Sequence, residues 1–338
     1  MSHLRRLCLA GCCALALLDA CGVALAHDVS LMVGGIEKQI YLPVLLAQQL
    51  GYFRDEGIDV ELLSEPAGVE AADEMLAGAV QGVIGFYDHT IQLQSLGKYT
   101  ESVVQLALAP GEVEIVSTKH PEITSVAGLK GKSVGVTGLG SSTDFLTEYL
   151  LAKAGIKLNE ITPIPVGAGD TLIAAMQHDQ IQAAMTTEPT VSRLLLTKQA
   201  RVLVDTRSPA DSESVFGGPY PASCLYMETA WVEGHRDLVQ KLVNALLHAL
   251  RFIASHDASE IASQMPAAVY AGDRQLYEAA LADGKAMFTT DGRMPMDGPE
   301  TVLGVMSTIN ANVRDRSIDL SKTFTTEFAD RAAKALGE

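Results

Sequence analysis

Short apolar strands alternate with helices of about ten residues along most of this chain, and this alternation limits the fold more than any other feature. In the first run, DVSLMV, IDVELL and VQGVIGFYDHT fit strands, while PVLLAQQLG, from Pro43 to Gly51, fits a helix. A second run starts with SVGVT at Ser133 and continues to RVLVD, which ends at Asp205. Strands separated by helices form βαβ units with a mostly parallel sheet. The sequence therefore predicts two α/β units, followed by a mostly helical end.

The stretch GLGSSTDFLTEYLLAKAG, residues 138–155, leads from the strand SVGVT into a helix. Ser141, Ser142 and Thr143 fall at the predicted start of that helix. Its first backbone N–H groups, together with the positive end of the helix dipole, can bind a carboxylate, sulfonate or phosphate. The same side chains can instead serve only as helix caps. Both interpretations stay open at this point.

The N-terminus has the pattern of a secretory signal peptide. Two arginines precede the apolar run LCLAGCCALALL, and small residues then predict cleavage before His27. The run is shorter than the roughly 20 residues that span a membrane. LAGC, which ends at Cys12, and LDAC, which ends at Cys21, are competing lipoprotein signals, so a lipid anchor stays open as a less favoured alternative. We expect residues 1–26 to be a signal peptide and the mature protein to lie in the periplasm.

Charge and cysteine content argue against several classes of function. The chain has 25 Lys and Arg against 41 Asp and Glu, a net charge of −16, which argues against nucleic acid or an anionic membrane surface as a partner. Export would leave Cys224 without a disulfide partner, and we expect it to be a small buried residue because SCLYM fits a strand. HExxH, CxxC and Walker patterns are absent. No catalytic residue, metal or cofactor is predicted.

The phrase GYFRDEGIDVELL, residues 51–63, closely resembles the opening of the SsuA/THI5-like (NMT1-like) family of solute-binding proteins. YLPVLLAQQL precedes it and MLAGAVQGVIG follows it, as the resemblance requires. GLKGKSVGV with GSST is similar to the start of that family's second domain. One departure is Gly82, where the family often has aspartate. The resemblance implies an ABC transporter substrate-binding protein that delivers a small solute to membrane permease subunits and their ATPase.

The resemblance also implies a type II periplasmic binding protein fold, an α/β fold in which two lobes enclose a ligand cleft. We expect residues 27–125 and 216–338 to form lobe I and residues 126–215 to form lobe II, in a monomer. In open α/β sheets, ligands bind beyond the carboxyl ends of the strands. That rule selects the loops GGIEKQIY, GFYDHT, GLGSST, VGAGD and TTEP, with GGPYP at the crossing between lobes.

The selected loops supply the candidate ligand-binding residues. Lys38 can neutralise an anion or simply lie in solvent, and the tyrosines can stack on a planar ligand or pack in the core. Glu188, at a position where the family often has an acidic residue, can accept from a ligand amine or hydroxyl, or stabilise its own helix start. The predicted ligand-binding residues are Lys38, Gln39, Tyr41, Tyr87, Asp88, Ser141, Ser142, Thr143, Gly169, Glu188 and Tyr220.

The leading functional prediction is capture of a small organic anion, either a sulfonate or an aromatic or other organic carboxylate, by hinge closure. The aromatic side chains at the cleft favour an organic ligand over nitrate. A thiamine-precursor pyrimidine held by Glu188 and the tyrosines is the second ligand class. Two further functions stay open, because fold does not determine function. One is a THI5-like pyrimidine-forming enzyme, although this chain lacks the cysteine-rich cluster of those enzymes, and the other is a ligand sensor.

Overall fold

A computed structural model describes residues 27–270 and 272–337 of the chain. The predicted signal peptide and the two candidate lipidation sites, Cys12 and Cys21, lie outside the described residues. None of the helices in the described part is both long enough and apolar enough to cross a membrane. The strands, numbered in chain order, are β1 (Val29–Val33), β2 (Val60–Ser64), β3 (Gly82–Phe86), β4 (Thr100–Gln105), β5 (Glu112–Ser117), β6 (Ser133–Val136), β7 (Thr162–Pro165), β8 (Ala183–Thr187), β9 (Ala200–Asp205) and β10 (Ser223–Glu228).

Helices fill most of the remaining chain, and several begin or end where the sequence predicts. Gly51 ends the first helix with a left-handed backbone, φ 80°, which glycine adopts without strain. The helices are α1 (Leu42–Leu50), α2 (Tyr52–Asp55), α3 (Gly68–Leu76), α4 (Asp88–Ser95), α5 (Ser142–Lys153), α6 (Asp170–Gln177), α7 (Thr190–Leu196), α8 (Pro209–Phe216), α9 (Thr229–Gly234), α10 (Arg236–Ser255), α11 (Ala258–Ser263), α12 (Arg274–Gly284), α13 (Gly298–Ile309), α14 (Ala311–Arg314) and α15 (Glu327–Ala335).

The strands form two five-stranded sheets with the same pattern of connections. The first sheet has the order β2-β1-β3-β10-β4 and the second has the order β7-β6-β8-β5-β9. In each sheet four strands run in the same direction, and one strand, β10 in the first sheet and β5 in the second, runs antiparallel between two of them. The chain passes from the first sheet to the second after β4 and returns after β9. The predicted α/β fold with two lobes is confirmed, and the ends of β1, β3, β6 and β8 lead into the loops that the sequence selects.

Strand β5 belongs to the second sheet, whereas the expected lobe limits place residues up to 125 in lobe I. Its backbone pairs with β8 and β9, for example Glu112 opposite Thr187 and Ile115 opposite Ala184. A strand of this composition is recognisable from its local pattern, but its pairing partners lie about 70 to 90 residues further along the chain. The passage between the sheets therefore comes between β4 and β5, earlier than the sequence indicates.

Helix α10 contributes the longest continuous part of the core. Its residues Leu242, Ala245, Leu246 and Ala249 are fully buried and lie on one face of the helix. They pack in one cluster with residues of the first sheet and of the helices around it. This side of the first sheet is therefore held by the hydrophobic effect and by close packing.

Replacing Leu246 with alanine is expected to lower the free energy of unfolding by about 2–5 kcal/mol, because it removes apolar contacts and leaves a cavity. Chemical denaturation followed by circular dichroism measures this change. Lys241→Ala, at a partly exposed position of the same helix, is the matched control and should change the free energy by about 0.5 kcal/mol or less. Equal effects of the two substitutions would contradict this account of the core.

One carboxyl group is buried inside the second lobe without a cation. Glu114 on β5 is fully buried, and Thr147 donates a hydrogen bond of 3.4 Å to its Oε2. Its Oε1 has no hydrogen-bond partner among the described residues. Burial disfavours the charged form and raises the pKa of Glu114 from 4.5 to about 8. The folded state therefore holds this proton more tightly than the unfolded state does, and stability falls as pH rises from about 5 to above 8.

Glu114→Gln removes the ionisation and keeps the shape of the side chain. We expect the melting temperature of the variant, relative to wild type, to be higher at pH 9 than at pH 5 by about 5 °C. Thermal unfolding at the two pH values measures the difference. Glu213→Gln on the exposed surface is the control and should show the same offset at both values. A pH-independent offset for Glu114→Gln would show that its carboxyl group titrates normally.

Candidate functional site

A small cavity lies between the two sheets and is lined by residues from both of them. The volume of the cavity is about 10 Å³, roughly enough for the centre of one water molecule. The lobes therefore stand in a closed arrangement, and an organic solute needs them to separate before it can enter. The lining residues are Lys38, Ile40, Tyr41, Gly68 and Phe86 from the first lobe and Glu112, Thr137, Ser141, Ser142, Thr143 and Thr187 from the second.

The start of helix α5 forms the second-lobe wall of this cavity. Ser141 precedes the helix with an extended backbone, φ −85° and ψ 169°, but its side chain does not cap the helix. Its Oγ lies 3.0 Å from Thr137 Oγ1 and 2.9 Å from Thr143 Oγ1, so the three hydroxyls form one cluster. Within the described part of the chain, no acceptor is seen for the backbone N–H groups of Ser142 and Thr143. The helix start therefore keeps two donors available at the cavity.

Lys38 provides the positive charge on the opposite wall. It is only 4% exposed, so the alternative that it lies in solvent is wrong. Its Nζ donates to the carbonyl oxygens of Gly34, at 2.6 Å, and Pro66, at 2.9 Å. Burial lowers the pKa of Lys38, while the nearby carboxyl groups of Glu37 and Glu112 act in the opposite direction. An ammonium group has three hydrogens, so these two bonds leave one for an anionic ligand.

Two of the predicted residues hold the lobes together instead of lining the cavity. Asp88 is fully buried and accepts hydrogen bonds from Ser142 Oγ, at 2.9 Å, and from the hydroxyl of Tyr220, at 3.3 Å. Burial raises the pKa of Asp88, against the opposing effects of its neighbour His89 and of these two hydrogen bonds. The Tyr220 ring packs 4.5 Å from that of Phe216. Asp88 thus connects the first lobe, the second lobe and the returning crossing.

The other residues predicted in the first lobe have different positions. Tyr41 lines the cavity, with its ring edge-on to Phe86 at 6.4 Å. Tyr87 does not line it, because its hydroxyl lies 2.5 Å from Thr323 Oγ1 on the far side of the strand. Gln39 also turns away, since its Nε2 donates to the Tyr277 carbonyl at 2.9 Å. Of the three, only Tyr41 is positioned to contact a solute in this cavity.

Glu188 and Gly169 also lie outside the cavity lining. Glu188 accepts from Arg207 Nη1, at 2.7 Å, and from the backbone N–H of Ser192, at 2.9 Å. Burial raises its pKa, and these two donors oppose that effect. This geometry corresponds to the helix-stabilising alternative for Glu188. The backbone N–H of Gly169 donates to Thr190 Oγ1 at 2.9 Å, beside a separate surface pocket.

Glu112 and Thr187 line the cavity but are not among the predicted ligand-binding residues, although Thr187 lies in the selected loop TTEP. The two residues are opposite each other in the pairing of β5 with β8. Glu112 is 2% exposed, and neither its Oε2 nor Thr187 Oγ1 has a hydrogen-bond partner among the described residues. Burial raises the pKa of Glu112 well above its usual value, with Asp88 adding to the effect and Lys38 opposing it. The sequence signal that could have identified Glu112 is a charged residue directly before the apolar segment VEIVS.

The chain contains features that resemble nucleophilic sites, but their geometry does not fit one. GKSVG, residues 131–135, matches the pattern GxSxG, but its Ser133 begins strand β6, whereas a nucleophile elbow needs a turn from strand to helix. Cys224 is buried, and burial raises the pKa of its thiol, which disfavours the reactive thiolate. In the described residues, no three His, Cys, Asp or Glu side chains are grouped to hold a metal ion.

Solved structures similar to this one include several binding proteins. A protein of known structure from Bordetella bronchiseptica RB50 is 34% identical, covers 92% of this chain and 98% of its own, and superposes with a TM-score of 0.89. The alkanesulfonate-binding protein SsuA from Xanthomonas axonopodis pv. citri, bound to MOPS, is 20% identical over 89% and 99% of the two chains, with a TM-score of 0.71. The periplasmic nitrate-binding protein NrtA from Synechocystis is 13% identical over 91% and 89%, with a TM-score of 0.72. The last two similarities show a shared fold.

Sequence comparison identifies the family. A curated relative, the 4-amino-5-hydroxymethyl-2-methylpyrimidine phosphate synthase of Legionella pneumophila, is 26% identical over 149 residues. That match spans 44% of this chain and 46% of the relative, less than half of either protein. The profile of the family described as NMT1/THI5 like matches residues 39–259, well over half of the chain. The resemblance seen in the sequence is thus confirmed, and this protein belongs to the NMT1/THI5-like family.

Proposed function

We propose that this protein is the periplasmic solute-binding component of an ABC importer and that it captures a small organic anion. One observation carries the proposal. The free N–H groups of Ser142 and Thr143, in the second lobe, and the buried ammonium group of Lys38, in the first, line the same cavity. Helix N-termini and lysine side chains are both common anion-binding groups. A sulfonate or carboxylate between them would contact both lobes at once.

Contacts to both lobes explain why a solute would drive closure. The closed form is joined by the hydrogen bond from Ser142 to Asp88 and by a bond of 3.1 Å from the Gln39 backbone N–H to the Glu188 carbonyl. A solute held by both lobes binds the closed form more tightly than the open form, so it shifts the population toward closure. The closed shape would then dock on the permease subunits. The sulfonate- and nitrate-binding proteins of the same fold support an anion as the solute.

A pyrimidine is the second candidate ligand, and the Legionella relative named as a pyrimidine phosphate synthase is the observation that favours it. Tyr41 and Phe86 supply aromatic surface beside the cavity. Glu188, the acceptor that the sequence suggests for a pyrimidine, is already bonded to Arg207. Binding of an anion therefore fits the available donors better than binding of a pyrimidine through Glu188 does.

Ser142→Pro tests the anion site directly. Proline is well tolerated at the first helical position and after the extended backbone of Ser141, but it removes one N–H donor. A thermal-shift screen of the mature protein against sulfonates, aromatic carboxylates, pyrimidines and inorganic anions first identifies the binding class. For an anion from that screen, calorimetry should show affinity lowered by more than tenfold in the variant.

Ser142→Ala is the matched control, because it removes the same hydroxyl and its bond to Asp88 but keeps the backbone N–H. The proline variant should bind the anion at least threefold more weakly than the alanine variant does. Equal affinity of the two variants would contradict a role for the N–H group. A screen in which only pyrimidines bind would contradict the anion proposal and support a pyrimidine as the ligand.

Gly138→Ala tests closure without changing any group that lines the cavity. A β-carbon at Gly138, in the second lobe, would lie 2.9 Å from the Ala67 β-carbon in the first, closer than such atoms approach. We expect about a three- to tenfold loss of ligand affinity, with the melting temperature of the free protein changed by less than about 2 °C. Gly234→Ala, where a β-carbon has open space, is the control and should bind normally. Unchanged affinity in Gly138→Ala would show that the bound form is less closed than this structure.

A further inference from the structure

We infer that the solute carries, besides its acidic group, an amino group or another N–H donor that binds the carboxyl group of Glu112. This inference rests on the proposed function and specifies the ligand class of the same cleft. The ligand would then be an amino-substituted organic acid, with its acidic group at the start of helix α5 and its amino group beside Glu112, the first residue of strand β5.

The state of the Glu112 side chain is the first step. Glu112 lines the cavity and is 2% exposed, yet its Oε2 has no hydrogen-bond partner among the described residues. Thr187 Oγ1, from the residue paired with it across the sheet, also has none. A buried acceptor left without a partner lowers stability. Because these two acceptors line a cavity, an N–H donor of a bound solute would satisfy them.

The neighbouring carboxyl groups support this interpretation by contrast. Asp88 accepts from the hydroxyls of Ser142 and Tyr220, and Glu188 accepts from Arg207 and a backbone N–H. The chain thus supplies donors to the buried carboxyl groups that join its own parts. Glu112, which faces the cavity, receives none. Glu114 also has an oxygen without a partner, but it does not line the cavity. Glu112 has both an unpaired oxygen and a place in the cavity lining, and this combination favours a role in ligand recognition.

Glu112 and Lys38 give the cavity both a hydrogen-bond acceptor and a donor. Both line the cavity, but no ion pair between them is found in the described part of the chain. The cavity lining therefore contains donors, Lys38 and the N–H groups of Ser142 and Thr143, and acceptors, Glu112 and Thr187. A solute that has only an acidic group would occupy the donors and leave Glu112 unpaired. A solute with both groups would satisfy donors and acceptors together.

Matched pairs of solutes test the inference. Isothermal titration calorimetry would compare 3-aminobenzoate with benzoate, and 3-aminopropane-1-sulfonate with propane-1-sulfonate. We expect wild-type protein to bind the amino member of at least one pair about tenfold or more tightly than its partner. Glu112→Gln, which replaces one carboxyl oxygen with an amide NH₂ group and keeps the size of the side chain, should reduce this preference at least threefold.

Glu114→Gln is the matched control, since Glu114 lies on the same strand and is equally buried but does not line the cavity. It should leave the preference unchanged. Equal binding of both members of each pair to wild type, or a preference that Glu112→Gln does not alter, would overturn the inference while the proposed anion site stands. Failure of all four solutes to bind would overturn the proposed ligand class and this inference with it.

Discussion

The hydrogen bond from Ser142 to Asp88 joins the two lobes of this protein beside the cavity. It connects the first residue of helix α5 in the second lobe to the first residue of helix α4 in the first lobe, at 2.9 Å and in a buried environment. The same aspartate also accepts from Tyr220 on the returning crossing. A carboxylate shared by three parts of the chain aligns the helix start with the opposite lobe.

Buried charge distinguishes this cleft from the surrounding surface. The protein is acidic overall, with a net charge of −16, and a uniform field of that sign would repel an anionic solute. Lys38 and the free N–H groups of α5 place donors where the surface charges are distant and screened by solvent. Glu112 and Thr187 add acceptors to the same cavity lining. The cleft therefore selects by local polarity, and the net charge of the chain says little about its ligand.

Most secondary structure could be predicted because its signals are local. The helix from Pro43 to Gly51, the strand SVGVT and the buried face of α10 follow from spacing and end signals within a few residues. The sheet to which β5 belongs could not be predicted this way, because a strand pairs through backbone groups that every sequence has. Its partners, β8 and β9, come much later in the chain. For that reason the predicted boundary after residue 125 comes later in the chain than the observed passage between β4 and β5.

The sequence by itself determined the family, the two α/β units, and the loops at the strand ends that meet at the cleft. It also predicted Lys38, Tyr41 and the start of α5 as ligand-binding residues, and these line the cavity. Only the tertiary structure decided which side chains face the cavity. Tyr87 turns to Thr323, Glu188 pairs with Arg207, and Glu112 is left without a partner. The physical reason is that a side chain's direction depends on which donors and acceptors packing brings beside it, and those come from distant parts of the chain.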